Sequence, residues 1–302
     1  MSTHDVPNIY HVPLMLQEQG LCDILGVDCS ATGMLDDWKA MAFHLDTLTE
    51  EVHIAMVGKY TDLSDAYLSV IKSLQHAAMA VDRKLVIDWI EASHLEEDWA
   101  AEDHEAAWAA LRKADGVLVP GGFGDRGVEG KIRAAHYART EGVPYLGICL
   151  GLQIATIEFC RNVLGMTGAN STEFEDNPEH AAVVFMPEIS KTHLGGTMRL
   201  GSRPTLWQHD GSTIRALYGP GEAVDERHRH RYEVNPDLIE RIEEAGLVFV
   251  GKDESGQRCE IFELNDHPYY VGVQFHPEFK SRPGKPSPPF LGLLKAASDQ
   301  LN

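Results

Sequence analysis

The sequence predicts an α/β fold: a largely parallel central sheet flanked by helices, with a smaller mixed or antiparallel sheet. Three observations carry this. Between about residues 50 and 148 short apolar runs alternate with stretches of helical periodicity, and runs joined by helices of ten or more residues imply right-handed βαβ crossovers. Two of the runs end in glycine-rich corners, at 120–124 and 147–151, and ligands bind such sheets at strand C-termini. After Gly165 the segments become shorter and alternate in polarity, which is the texture of antiparallel or mixed strands.

The first 49 residues read differently from the rest. A Pro-containing start, an apolar segment at 12–16 and a turn-rich stretch at 26–33 precede Trp38, Met41, Ala42, Leu45 and Leu48, which recur at helical spacing. That predicts a linker ending in an amphipathic helix over 36–48, with residues 50–302 forming the main domain. Strands are expected at 52–57, 84–91, 116–119 and 143–148, with helices at 64–81, 105–113, 128–139 and 152–164 between and after them. Further strands are expected at 182–186, 197–200, 205–208, 229–234, 248–251, 259–264 and 270–275. A helix over 236–245 interrupts them and another over 289–301 closes the chain, while polar loops at 175–180 and 188–193 could lie over a site.

Composition narrows the partners. The 302 residues hold 26 Lys plus Arg against 46 Asp plus Glu, a net charge of −20 that repels nucleic acid and anionic membrane surfaces. Neither is expected as a partner. Cysteines at 22, 29, 149, 160 and 259 are odd in number and lack Cys-x-x-Cys spacing, so a reducing, cytoplasmic compartment fits and a disulfide scaffold does not. The start has no charged-then-apolar leader and no stretch approaches eighteen apolar residues, which argues against secretion and membrane spanning.

Cys149 stands in Gly147-Ile148-Cys149-Leu150-Gly151, between an apolar run and a helix-like stretch. Glycine on both sides lets the backbone turn sharply and lifts the side chain above the sheet, as in the Gly-x-Ser-x-Gly elbow of hydrolases. The sulfur then faces a helix N-terminus, whose partial positive charge favours negative charge on it. A base lies downstream in Gln274-Phe275-His276-Pro277-Glu278-Phe279. Pro277 opposes helix, and in an extended segment residues i and i+2 share a side, so His276 is expected to face the cysteine while Glu278 orients the imidazole. Cys22, Cys29, Cys160 and Cys259 lack a glycine corner and are read as structural.

Two further motifs stay open on residues alone. The run Pro120-Gly121-Gly122-Phe123-Gly124-Asp125-Arg126-Gly127 is not a nucleotide P-loop, because no Gly-Lys-[Ser/Thr] follows, and Gly58-Lys59 lacks the upstream glycine. It is either an oxyanion hole, with N–H donors from Gly122 and Leu150, or a tight turn that reverses the chain. In the segment from Glu226 to Glu233 the two histidines have no third ligand nearby, so no metal is expected. The segment reads as a strand with Arg227, Arg229 and Arg231 on one face and His228 and His230 on the other, and one of those arginines could clamp a carboxylate.

Taken together, the Pro-Gly-Gly-Phe-Gly loop, Gly147 to Gln153 and His276-Pro277-Glu278 resemble the class I glutamine amidotransferases, a Cys-His-Glu family. The blocks Val57-Gly58-Lys59-Tyr60, Asn170-Ser171-Thr172-Glu173-Phe174, Leu194 to Gly201 and Arg227 to Val234 are similar to the glutaminase domain of the CTP synthase family, and the likeness runs from about residue 50 to the end. Residues 1–49 look like the end of that family's synthetase domain and its linker. The resemblance implies a class I glutamine amidotransferase-like fold and hydrolysis of L-glutamine by Cys149, His276 and Glu278. Gly122 and Leu150 would serve the oxyanion, and Gly122, Leu150, Gly151, Gln153, Glu173 and Arg231 the substrate.

It also implies a synthetase domain that is expected to be missing from this chain, and that uses ATP and Mg2+ to convert UTP to CTP with GTP as allosteric activator. No cofactor is implied for this stretch itself. The intact enzyme is expected as a homotetramer and this chain as a monomer or weak dimer. A γ-glutamyl hydrolase on the same scaffold, or a non-catalytic assembly module, are the competing readings.

Overall fold

The computed structural model describes residues 8–12, 24, 26, 33–61, 63–186 and 198–301. Helix α1 (Gly33–Thr47) leads into strand β1 (Glu51–Gly58), helix α2 (Leu68–Ala80), β2 (Lys84–Glu91), α3 (Ala101–Lys113), β3 (Gly116–Val119), α4 (Val128–Glu141), β4 (Tyr145–Ile148) and α5 (Leu150–Asn162). Then follow β5 (Ala169–Ser171), β6 (His180–Phe185), β7 (Arg199–Trp207), α6 (Thr213–Tyr218), β8 (Ala223–His230) and β9 (Tyr232–Val234). Helix α7 (Ile239–Glu244), β10 (Leu247–Lys252), β11 (Cys259–Leu264), β12 (Tyr270–Val273) and α8 (Pro288–Ala297) complete the order.

Nine strands form one sheet in the order β2-β1-β3-β4-β12-β11-β10-β7-β8, and β5-β6-β9 form a smaller mixed sheet. Strands from β2 to β12 pair in parallel. From β12 onward every pairing in that sheet is antiparallel. The antiparallel strands thus extend the central sheet rather than forming one of their own.

Alternation along β1 shows how the core is divided. Ala55 and Val57 pack with residues of α3, α4 and α5 on one face, whereas Ile54 and Met56 pack with residues of α2 and α8 on the other. Strands covered by helices on both faces read as continuous apolar runs, which is why this half was legible. A third small cluster joins Tyr10, Ala42 and Met79, so the segment before β1 rests on α2 through α1.

Several expectations shift. The helix expected over 64–81 opens as a 3-10 turn, Ser64–Tyr67, and the one over 236–245 opens as Pro236–Leu238. The strands expected at 197–200 and 205–208 are one strand, β7, despite Pro204. At Pro204 the strand is paired only with β8, since β10 reaches β7 only at Leu206 and Trp207, so the missing N–H is tolerated. The strand expected over 229–234 is two strands in different sheets, broken at Arg231. Helix α6 and strand β5 had no strong periodic signal and were not anticipated. The loop at 188–193 lies outside the described residues, as do Cys22 and Cys29. Among the described residues no helix is long and apolar enough to cross a membrane.

Candidate active site

Cys149 occupies the corner between β4 and α5 with φ 53° and ψ −98°, a conformation that residues with a Cβ rarely adopt and that functional sites retain. Its N–H donates to Val273 O at 2.7 Å, which ties the corner to β12. The flanking glycines are required by close approach. A Cβ on Gly147 would lie 2.5 Å from Gly151 O, and one on Gly151 would lie 2.2 Å from Val119 O. The turn can be this tight only without those side chains.

Gly121 shows that the thiol and the imidazole meet. An ideal Cβ there would lie 2.8 Å from His276 Cε1 and 3.5 Å from Cys149 Cβ, so both side chains converge on one point that glycine leaves empty. His276 Nδ1 is 2.8 Å from Glu278 Oε1. The ring's other nitrogen, Nε2, is buried and remains the one available to the sulfur. Burial pushes the imidazole towards its neutral form, but hydrogen bonding and charge interaction with Cys149 and Glu278 outweigh it and raise His276 to about 10. The His–Glu pairing arises differently from the expected extended segment. After His276 the chain forms a 3-10 turn, Pro277–Lys280, with Pro277 at its first position, where a missing N–H costs nothing.

A pocket of about 300 Å³, mouth included, opens beside the sulfur and is lined by Gly122, Phe123, Cys149, Gln153, Glu173, His230, Arg231 and Tyr232. Glu173 Oε1 accepts from Gly124 N–H at 3.0 Å. Burial raises this carboxyl, against the pull of the Gly124 N–H, Lys59 and Arg231. Arg231 presents a buried Nε that makes no hydrogen bond within the protein. The break between β8 and β9 explains its place: Arg227 and Arg229 are exposed on β8 as expected, but Arg231 leaves their face and is half-buried at the pocket. An acid and a guanidinium therefore line one small cavity next to a thiol.

The remaining expected residues divide. Gly122 lines the pocket, and a Cβ there would lie 3.3 Å from Leu150 Cδ2, so the glycine loop and the start of α5 are in contact. Leu150 does not line the pocket, but its N–H is at the first position of α5, where the helix supplies no acceptor. Gly151 does not line it either and serves the close approach of Val119. Gln153 lines the pocket with its amide nitrogen donating to Tyr232 O at 3.0 Å and Gln274 Oε1 at 3.2 Å. Lys59, to which no role was assigned above, braces the glycine loop by donating to Phe123 O at 2.6 Å and Gly124 O at 3.0 Å.

Behind β8 the histidines are structural. His228 Nδ1 lies 3.1 Å from His230 Nε2, and burial lowers His228 to about 2 and His230 to about 3, so both are neutral. Among the described residues no group of three or more His, Cys, Asp or Glu could hold a metal. Cys160 is fully buried and burial pushes its thiol up to about 12, while Cys259 is pushed up further, as structural cysteines should be.

Residues 62–296 match the model of the glutamine amidotransferase class-I family. The chain is 54% identical over 325 aligned positions to a CTP synthase of Dictyostelium discoideum, covering 100% of this chain and 57% of that relative. It is 52% identical over 308 positions to CTP synthase 1 of Homo sapiens, covering 99% of this chain and 52% of the relative. The chain thus spans about half the length of the curated relatives it matches. A solved structure of the glutaminase domain of Trypanosoma brucei CTPS with bound acivicin superposes with a TM-score of 0.76 at 38% identity, covering 82% of this chain and 94% of that one. The corner, the loop and the converging thiol and imidazole lie within the matched residues, and the chain belongs to the class-I glutamine amidotransferase family.

Proposed function

We propose that this chain is a glutaminase of the CTP synthase type, with Cys149, His276 and Glu278 as its catalytic residues. The observation that carries this is the convergence of Cys149 and His276 on the space above Gly121, with Glu278 on the far side of the ring. Cys149 Sγ, its proton already passed to His276, attacks the side-chain amide carbon of L-glutamine. The carbonyl oxygen becomes an oxyanion that the N–H groups of Gly122 and Leu150 receive. His276, charged at neutral pH, gives its proton to the leaving nitrogen, so ammonia departs and a γ-glutamyl thioester remains. His276 then takes a proton from water, whose oxygen attacks the thioester; glutamate leaves and the sulfur returns without its proton beside the charged ring. Glu278 fixes the ring and its charge throughout.

Arg231 and Glu173 supply the recognition. The guanidinium suits the α-carboxylate and the carboxylate suits the α-ammonium, so a free amino acid is preferred over a glutamine in peptide linkage, which lacks both charges. Gln153 and Gly151 are assigned to the pocket and to the corner beneath it.

The ammonia is proposed to pass to a synthetase domain that makes CTP from UTP with ATP and Mg2+ under stimulation by GTP. No described residue of this chain is assigned to those ligands. Residues 1–49 are proposed as the connection to that domain, and the intact enzyme as a homotetramer in the cytoplasm. The test is covalent labelling: a glutamine-like diazoketone should add one label to the chain and none to Cys149→Ala, and hydrolysis of γ-glutamyl peptides with no ammonia from free glutamine would overturn the assignment.

A further inference from the structure

We propose that Gln274 is a hydrogen-bond donor to the nucleophile, its orientation dictated through Gln153 by the main-chain carbonyl of Tyr232. The proposal rests on the reading of Cys149 as nucleophile. Gln274 stands directly after β12 and is 1% exposed. Its backbone N–H donates to Glu260 O at 2.8 Å, and its Nε2 lies 3.7 Å from Cys149 Sγ. The oxygen and nitrogen ends of a terminal amide have the same shape, so partners decide which way it points.

Here the partners form a chain with one sense. Tyr232 O can only accept, so Gln153 must turn its NH2 towards it, at 3.0 Å. The same NH2 is 3.2 Å from Gln274, which must therefore present its oxygen to Gln153. That leaves the NH2 of Gln274 facing the sulfur. On another side the sulfur is 3.9 Å from Arg229 O, an acceptor. A thiol satisfies that carbonyl with its own proton. Once the proton is gone that donation to the carbonyl is lost, and Gln274 joins His276 as a partner that favours the anionic sulfur, since hydrogen bonds to ionised groups are the stronger ones.

The anchor of this relay matters for substrate. Arg229 and Tyr232 flank the strand break that brings Arg231 to the pocket. One stretch of backbone thus sets both the guanidinium that meets the amino acid and the hydrogen bonds that meet the sulfur.

The experiment is the rate of Cys149 alkylation by iodoacetamide against pH on the full chain, with Cys149→Ala identifying the site. In Gln274→Met the profile should move about one pH unit to the alkaline side, with about tenfold slower labelling on its acid limb. Gln274→Glu should move it further, and Gln153→Met less than either. A Gln274→Met protein that unfolds cooperatively like the parent and gives a superimposable profile overturns the proposal. If that variant does not fold, the unsubstituted protein decides: the Gln274 side-chain amide proton resonances should move along the same pH profile as alkylation, and resonances that stay constant overturn it. Iodoacetamide needs no glutamine pocket, so either result leaves the glutaminase assignment to its own test.

Discussion

The two halves of the nine-stranded sheet differ in how much polar material they bury. In the parallel half Ile54, Met56, Leu118, Leu146 and Val271 are fully or almost fully buried and apolar. The antiparallel half buries Phe249, Ile261 and Phe262 in the same way, but it also buries polar groups: Glu226, His228, His230, Thr205 and Glu260 all lie within it. Glu260 holds Arg199 at 2.7 Å and also accepts from Thr205, with His228 3.7 Å away. The difference follows from cover. Helices flank the parallel strands on both faces, whereas the inner face of β8 packs on a network that must satisfy its own hydrogen bonds.

The proposed site is held from both halves. Cys149 is fixed by the parallel strands, through glycines that let β4 turn against Val119 and through the bond to Val273 O. His276 is fixed from the other side, because its N–H donates to Arg227 O of β8 at 2.8 Å. The parallel half supplies the rigid corner and the strand that leads to His276, and the antiparallel half braces His276 and leads into Arg231, so the geometry depends on the seam between them.

The largest expected effect breaks the site while leaving both halves intact. Cys149→Ala should lower glutamine hydrolysis by roughly four orders of magnitude or more, measured as ammonia release, with the thermal transition retained. Next, Glu260→Leu strands Arg199 as a buried charge and should cost about 3–5 kcal/mol in denaturant titration. The double variant Arg199→Met with Glu260→Leu should recover most of that loss, which separates the cost of an unpaired charge from the worth of the pair.

Acid should weaken the fold through the buried histidines of β8. His228 and His230 titrate at about 2 and 3 in the fold against 6.5 in the unfolded chain, so protons bind the unfolded state first and stability falls as pH drops below 6.5. Glu226 and Glu233, both raised to about 7 by burial from an ordinary 4.5, bind protons first in the fold and offset that loss between pH 7 and 4.5. Below about 4.5 these two carboxyls no longer offset the two histidines, whose share of the loss is up to about 1.4 kcal/mol per pH unit for each. Glu226→Gln should move the onset of this loss towards pH 6.5, and an unchanged onset in chemical denaturation would contradict the assignment. The smallest effect belongs to the parallel half: Ile54→Val should cost about 1 kcal/mol, independent of pH from 5 to 8.

How well each element could be anticipated cuts across this division. Strands 84–91, 116–119 and 259–264 appear as expected because an apolar run between turn signals is a local property. The break at Arg231 had no such signal. The sequence continues its alternation through it, and only the passage of the chain from one sheet to the other removes Arg231 from the face of Arg227 and Arg229. Lys59 was visible as a lysine after glycine, but its role depends on carbonyls contributed by residues 123 and 124. Gln274 was visible beside His276, and its direction depends on Gln153 and Tyr232.

By itself the sequence determined the corner at Cys149, the glycine loop and the His-Pro-Glu run, because tight turns and apolar strands are written in residues adjacent along the chain. It also determined that Arg227 and Arg229 would face away from His228 and His230, since the period of a strand is two. The tertiary structure decided which arginine enters the pocket, which histidines stay neutral and which way the amide beside the sulfur points. Those outcomes depend on burial and on partners distant in sequence, and no local pattern encodes the dielectric or the hydrogen-bond acceptor that a side chain meets after folding.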